Sequence, residues 1–326
     1  MTTSVSVAIH PSQFPENVRR DLLASLRTRR VNHKFHYDSI KQTQKWLALH
    51  ETHSPARYDQ NCLTTYGKAF VATAEKIKSK SIHVIGLGCG GGQKDVQLLK
   101  QLRSRGKNFS YAPGDVSVAM VLVARGAALK ILPPEKCFPF VCDLATAENL
   151  SALIAETSPS RVARLVTFFG MIPNFELQQI LPKLVELLRP NDFLLFSANL
   201  APGTNYALGM EKILPQYENP LTCDWLATFL FDLGIEPQDG ELRFSIEAGG
   251  LGLRRVLVKF YFRRARKIQV GDEKFSFARG ESLQLFFSYR YTPERVHKIL
   301  ARFGLAVNEQ WITSSGEEGV FLCRRK

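Results

Sequence analysis

The sequence predicts an α/β fold: a doubly wound, mostly parallel sheet closed by an antiparallel hairpin, with a second α+β lobe. Three observations predict it. First, an apolar run (Ile82, Val84, Ile85, Leu87) stops in five glycines within seven residues, Gly86 to Gly92. A segment with Val96, Leu98, Leu99 and Leu102 at helical spacing follows, so this reads as a buried strand, a tight turn and a helix start. Second, strand-like runs alternate with helical ones from there to about residue 200, as a parallel sheet requires. Third, the chain ends in a helix followed by two strand-like runs joined by a turn.

Taken in order, residues 11–31 include a helix with Val18, Leu22, Leu23 and Leu26 on one face. Asp38 or Ser39 can cap a second helix carrying Ile40, Trp46, Leu47 and Leu49. Residues 63–80 read as a helix leading into the glycine strand. A second strand region, from Phe109, ends at Asp115, and a third, from Phe138, ends at Asp143. A fourth, from Leu165, runs into Met171 and Asn174; a helix over about 177–188 and a fifth strand from Phe193 follow. Roughly ninety residues then separate Ala201 from Tyr291, far more than a normal connection. They hold a helix-like stretch, Tyr217–Leu233, and two long strand-like runs, Arg254–Ile268 and Lys274–Arg290, around a Gly271-Asp272 turn. At the C-terminus, Thr292 caps a helix with a first-turn proline, Gly304 stops it, and the runs Leu305–Ile312 and Gly319–Cys323 close the sheet.

Composition narrows the class. At 326 residues, 45% hydrophobic and 22% charged, the chain reads as a soluble globular protein of one large or two ordinary domains. No apolar run reaches membrane-span length and no signal peptide is apparent. The six cysteines form no Cys-x-x-Cys pair, which fits a reducing cytoplasm and argues against zinc. His36, His50 and His53 make no metal-binding helical pair, so no metal is expected. The net charge of +13, with basic clusters such as Arg263-Arg264-x-Arg266-Lys267, motivates a nucleic-acid reading. No nucleic-acid module accompanies those clusters, so a small-molecule partner is favoured over nucleic acid. A monomer is favoured, although the sequence does not set the oligomeric state.

The glycines alone support two ligands. Gly88-x-Gly90-x-Gly92 fits the loop of S-adenosylmethionine (SAM) methyltransferases, and Gly86-x-Gly88-x-x-Gly91 fits a dinucleotide fingerprint equally well. The closing hairpin favours a Rossmann-like class I methyltransferase sheet, because dinucleotide folds lack it. Acidic strand ends agree: Asp115 suits the ribose hydroxyls and Asp143 a place beside the adenine.

Several local motifs then line up with one family. They are Lys34-Phe-His-Tyr-Asp, Leu87-Gly-Cys-Gly-Gly-Gly-Gln-Lys, Pro113-Gly-Asp-Val-Ser, Ile172-Pro-Asn-Phe and Gly280-Glu-x-x-x-x-x-x-Ser-x-Arg-Tyr, in order from about residue 34 to the end. The chain resembles the histidine-specific SAM-dependent methyltransferases, whose best-known member trimethylates the histidine α-amine in ergothioneine biosynthesis. A fungal relative N-methylates dimethylallyltryptophan. The resemblance implies a SAM-binding domain of residues 63–202 and 292–326 and a substrate lobe of 1–62 and 203–291. It assigns Gly86, Gly88, Gly90 and Lys94 to SAM, with Lys94 at the methionine end, Asp115 at the ribose and Asp143 at the adenine. Tyr37 and Asn174 would hold the substrate's amino-acid head and serve the chemistry, with Tyr217 as a helper. Ser288 and Phe286 would meet the substrate side chain.

Departures from the family pattern narrow the substrate. Gly86 stands where the family strand usually ends in Glu, Pro173 precedes Asn174 where glycine is usual, and His53-Ser54-Pro55 replaces Tyr-Tyr-Pro. Phe286 stands where the histidine enzymes carry a glutamate that binds the imidazole. An aromatic ring cannot reproduce that selectivity. The expectation is a cytoplasmic SAM-dependent N-methyltransferase, releasing S-adenosylhomocysteine (SAH), that acts on an amino acid or related small amine other than plain histidine, in natural-product biosynthesis. The rival readings are an NAD-dependent oxidoreductase, an RNA-directed methyltransferase and a non-catalytic SAM-binding protein.

Overall fold

The protein was analysed as a computed structural model describing residues 4–157 and 162–326. In chain order, β1 (Ala8–Ile9) precedes helices α1 (Pro15–Thr28), α2 (Ile40–His53), α3 (Pro55–Tyr58) and α4 (Gln60–Lys76). Strands and helices then alternate: β2 (Ser81–Leu87), α5 (Gln93–Ser104), β3 (Asn108–Asp115), α6 (Val118–Ala128), β4 (Phe140–Val141), α7 (Leu150–Thr157), β5 (Ala163–Phe168), α8 (Leu177–Leu187) and β6 (Phe193–Asn199). Helices α9 (Tyr206–Ile213) and α10 (Pro220–Asp232) lead into β7 (Gly240–Ala248), β8 (Arg254–Phe262), β9 (Arg266–Val270), β10 (Glu273–Phe277) and β11 (Ser282–Arg290). Helix α11 (Pro293–Arg302) and strands β12 (Leu305–Ile312) and β13 (Glu318–Arg325) finish the chain.

The chain divides into two compact units. The first, residues 1–13, 55–200 and 291–326, is built on an eight-stranded sheet ordered β1-β4-β3-β2-β5-β6-β13-β12. Strands β1 to β6 pair in parallel and β13 pairs antiparallel with both β6 and β12, so the closing hairpin is the one predicted. Helices α4 and α5 bury Tyr66, Phe70, Leu98, Leu99 and Leu102 with Val84, Tyr111, Leu165 and Leu322 of the strands. Residues 1–13 and 55–62, expected in the substrate lobe, belong to this unit instead. Ala8 and Ile9 extend the sheet beside Phe140 and Val141, and α4 is one continuous helix whose Cys62 and Tyr66 already lie in the core. Thr292 accepts the Arg295 N–H at the α11 start, and Gly304 (φ +82°) ends that helix, as its sequence signals require.

The second unit, residues 14–54 and 201–290, carries a three-stranded antiparallel sheet, β11-β8-β7, and the hairpin β9-β10. Its core gathers Leu26, Phe35, Trp225, Phe229, Val258, Phe260, Leu283 and Leu285. Each long strand-like run of the sequence is broken in two here. The first breaks at Arg263–Ala265, where the buried Asp239 accepts the Arg264 guanidinium at 2.5 Å and that of Arg266 at 2.9 Å. The second breaks at Ala278–Glu281, where the Glu281 carboxylate accepts the Ala278 N–H at 2.7 Å and Gly280 adopts φ +88°. Strand β7 was not read from the sequence. The basic cluster Arg263-Arg264-x-Arg266 is therefore paired internally, with Glu241, Glu236 and Asp239 as its carboxylates.

Among the described residues no helix is long and apolar enough to cross a membrane, and no group of three or more His, Cys, Asp or Glu side chains is arranged to hold a metal ion.

Two fully buried histidines make the fold acid-sensitive. Burial lowers His36 in the second unit to about 4, against a bond from its ring N–H to the Leu285 carbonyl. In the first unit burial, reinforced by Arg164, lowers His83 to about 4. The unfolded chain takes up protons near pH 6.5 while the folded chain does not until about pH 4, so stability falls as pH drops through that window. At pH 5 the loss is of order 2 kcal/mol per histidine. Melting temperatures at pH 7 and pH 5 check this, and His83→Gln should flatten part of the difference.

Candidate functional site

The glycine loop joins β2 to α5 at the carboxyl ends of the parallel strands, where ligands bind in open α/β sheets. Gly88 and Gly90 have φ of +62° and +51°, a region that disfavours side chains, and a Cβ at Gly88 would sit 2.6 Å from the Met171 sulfur. The loop after β5 thus packs directly on the glycine loop. That same loop carries Asn174, at the end of a short 3₁₀ turn, Ile172–Asn174, whose Ile172 carbonyl accepts the Tyr291 hydroxyl at 3.3 Å.

Asp115 closes the other side. One carboxylate oxygen accepts the Gly90 N–H at 3.0 Å and the other the Ser117 N–H at 3.1 Å, and the residue is buried. Burial raises its pKa, against the stabilising N–H groups of Gly90, Ser117 and Val116. Each oxygen retains a second lone pair for a ligand hydroxyl. Asp143 lies at the end of β4, but its carboxylate braces its own loop, accepting the Ala145 N–H at 2.9 Å and the Thr146 hydroxyl at 2.8 Å.

Gly86 has a specific neighbour. A Cβ there would lie 2.6 Å from Oδ2 of Asp95, a buried residue of the first turn of α5. The Asp95 carboxylate accepts the hydroxyls of Tyr111 and Thr167, both at 2.7 Å. A carboxylate thus reaches the strand end from the helix, and Gly86 is the residue that leaves room for it. Burial raises the Asp95 pKa, with both hydroxyls and Lys94 opposing.

Lys94, one residue earlier, donates to the Tyr66 hydroxyl at 2.6 Å and reaches Glu318 at 3.4 Å, its ammonium 4.3 Å from the centre of the Tyr66 ring. Asp95, Tyr66 and Glu318 were not read from the sequence. They belong to a helix turn, a separate helix and the closing hairpin, and no short motif joins them.

The second unit gathers the other candidates. Tyr217 precedes α10, whose cap is Asn219, so the helix starts three residues later than the sequence suggested. Its hydroxyl donates to the buried Ser288 hydroxyl at 2.9 Å and accepts from Arg290 at 3.1 Å. Phe286 is buried in the unit's core, stacked on His33 at 5.0 Å and meeting Trp225 edge-on at 5.7 Å. A β-bulge between Gln284 and Phe286 breaks the alternation of this strand, so Leu283, Leu285, Phe286 and Phe287 are all buried. Tyr37 follows the 3₁₀ turn His33–His36, its ring near Trp225 at 5.4 Å and Trp46 at 6.0 Å.

A family model described as histidine-specific methyltransferase, SAM-dependent, matches residues 18–206 and 253–325. The chain belongs to this family. It is a SAM-dependent methyltransferase with the α/β class I fold. Solved structures similar to this methyltransferase include the magnesium protoporphyrin IX methyltransferase of Synechocystis with SAH bound, at 12% identity and TM-score 0.47, covering 88% of this chain and 95% of that one. Another is the sugar N-methyltransferase KedS8 of Streptoalloteichus, at 14% identity and TM-score 0.38, covering 85% of this chain and 93% of that one. No curated protein matches the chain. The residues around the loop suit SAM: glycines that admit a close backbone approach, the helix α5 N-terminus, a buried carboxylate for hydroxyls and a partly exposed ammonium.

Proposed function

We propose that this methyltransferase transfers the methyl group to the amino nitrogen of an amino acid, or related small amine, whose side chain is apolar or aromatic rather than imidazole, in the making of a natural product. The observation that carries this reading is Phe286, two residues before Ser288, with His33, Trp225 and Tyr217 as its aromatic neighbours. A buried site rewards a matching partner and rejects one whose polar atoms go unpaired.

SAM brings an already activated methyl group, so the protein's work is alignment, exclusion of water and removal of a proton from the ammonium. Tyr37 and Asn174 are the groups proposed to hold the amino-acid head. Tyr37, or a water on Asn174, takes the proton, because only the neutral amine carries a free electron pair. Ser288 with its Tyr217 partner offers the polar contact to the side chain. Gly88, Gly90, Asp115 and Asp143 are proposed to line the SAM site.

Incubation with SAM and a mixture of amino acids and amines, read by mass spectrometry for added methyl mass, tests the reading. Methyl gain on aromatic or apolar amino compounds is expected, and efficient methylation of histidine alone would overturn it. Asn174→Ala is expected to leave SAM affinity within about twofold and to lower kcat/KM by about 100-fold, since misplacing one reactant loses much of the alignment term. Unchanged turnover would remove Asn174 from the head-binding group.

A further inference from the structure

The closing hairpin contributes a residue to the glycine loop. Glu318 opens β13, paired with Asn199 at the carboxyl end of β6, so it stands at the same edge of the sheet as the loop. Its side chain is 14% exposed and fully engaged: one oxygen accepts the Tyr66 hydroxyl and the Lys94 ammonium, the other the Cys62 thiol at 3.5 Å. Burial would raise its pKa, yet Lys94 and the Tyr66 and Cys62 bonds hold it below the usual glutamate range. Tyr66 is pushed well above its usual pKa by burial and by Glu318, so it is a neutral phenol. Its oxygen donates to Glu318 and accepts from Lys94 and Ser197, and the Ser197 hydroxyl in turn accepts the Gly170 N–H at 2.9 Å.

Lys94 therefore spends two of its three N–H donors inside the protein, with its side chain still 22% exposed. A lysine ammonium is a point charge on a flexible stem, and a carboxylate ligand gains most from it when the stem is already ordered.

We infer that Glu318, with Tyr66, is a positioning residue for SAM: the pair fixes the Lys94 ammonium at the glycine loop, so that its remaining N–H addresses the carboxylate of the ligand's methionine end. The inference rests on SAM binding at this loop. The Tyr66–Ser197–Gly170 chain ties the same brace to the loop that carries Asn174. The brace selects for the amino-acid end of the ligand and is indifferent to the nucleoside.

The test compares two ligands by isothermal titration: SAH, and 5′-methylthioadenosine, which keeps the nucleoside and sulfur but lacks the amino-acid end. Glu318→Gln, which keeps shape and loses charge, is expected to weaken SAH about 10-fold and to leave 5′-methylthioadenosine within about twofold. Lys94→Gln should show the same selectivity with a larger loss, and Tyr66→Phe a smaller one. Equal weakening of both ligands would mean general loosening of the loop and would overturn the proposal, as would an unchanged preference for SAH. If Glu318→Gln fails to fold, the Tyr66→Phe ratio decides in the same way. Binding of neither ligand by the unmodified protein would overturn SAM binding at this loop itself, a result distinct from SAH binding that ignores Glu318.

Discussion

Asp115→Ala is expected to abolish measurable SAM binding. The carboxylate does two things at once. It accepts the Gly90 and Ser117 N–H groups, setting the glycine loop against the end of β3, and it offers its remaining lone pairs to the ligand's ribose. A hydrogen bond to a charged group is worth about 1.5–3 kcal/mol, so losing two ribose contacts weakens affinity by roughly 100-fold or more. The two loop N–H groups left without an acceptor add to that loss. Asp115→Asn keeps one acceptor and should fall between, near 10-fold. Isothermal titration with SAM and SAH measures both variants. A dissociation constant within about threefold of the unmodified protein for Asp115→Ala would remove this residue from the site.

Asp192→Ala is expected to have the largest effect on stability. Asp192 and Arg164 form an ion pair at 2.8 Å with side chains only 4% and 6% exposed. Asp192 also accepts the backbone N–H groups of Arg164 at 3.1 Å and Arg189 at 2.9 Å, while the guanidinium donates to the Leu187 carbonyl at 2.5 Å. Removing the acid leaves a buried cation and two buried N–H groups without their acceptor. Breaking one side of such a pair costs about 3–5 kcal/mol. For a domain of this size that lowers the melting temperature by about 10 °C. Asp192→Asn retains an acceptor for the backbone and should lose about half as much. Thermal melts followed by circular dichroism read both, and an unchanged melt for the alanine variant would refute the pair's role in holding β5 to β6.

How much of this was legible along the chain depended on sequence separation. The glycine loop and the Thr292 cap were readable, because a tight turn and a helix start demand particular residue types within a few positions. Asp115 was readable because it directly ends a strand. The Asp95 carboxylate under Gly86 was not. Reading it requires knowing that a helix residue nine positions later folds back over the strand end. Glu318 was harder still, since 224 residues separate it from Lys94. The runs Arg254–Ile268 and Lys274–Arg290 looked continuous because composition marks strand preference but not where a buried carboxylate such as Asp239 interrupts the ladder.

Phe286 sits between these cases. Its identity could be read at once as a departure from the family pattern, and its lack of a carboxylate argued against plain histidine. Its aromatic surroundings, His33 and Trp225, come from segments some 250 and 60 residues away in the chain and meet it only through packing. Patterns within a few residues were thus enough for the sheet, the loop and the cofactor, because backbone geometry imposes them locally. The brace of Glu318, Tyr66 and Lys94, the acid beneath Gly86 and the company of Phe286 required folding. Each is a contact between distant segments, whose partners are chosen by burial and charge rather than by spacing.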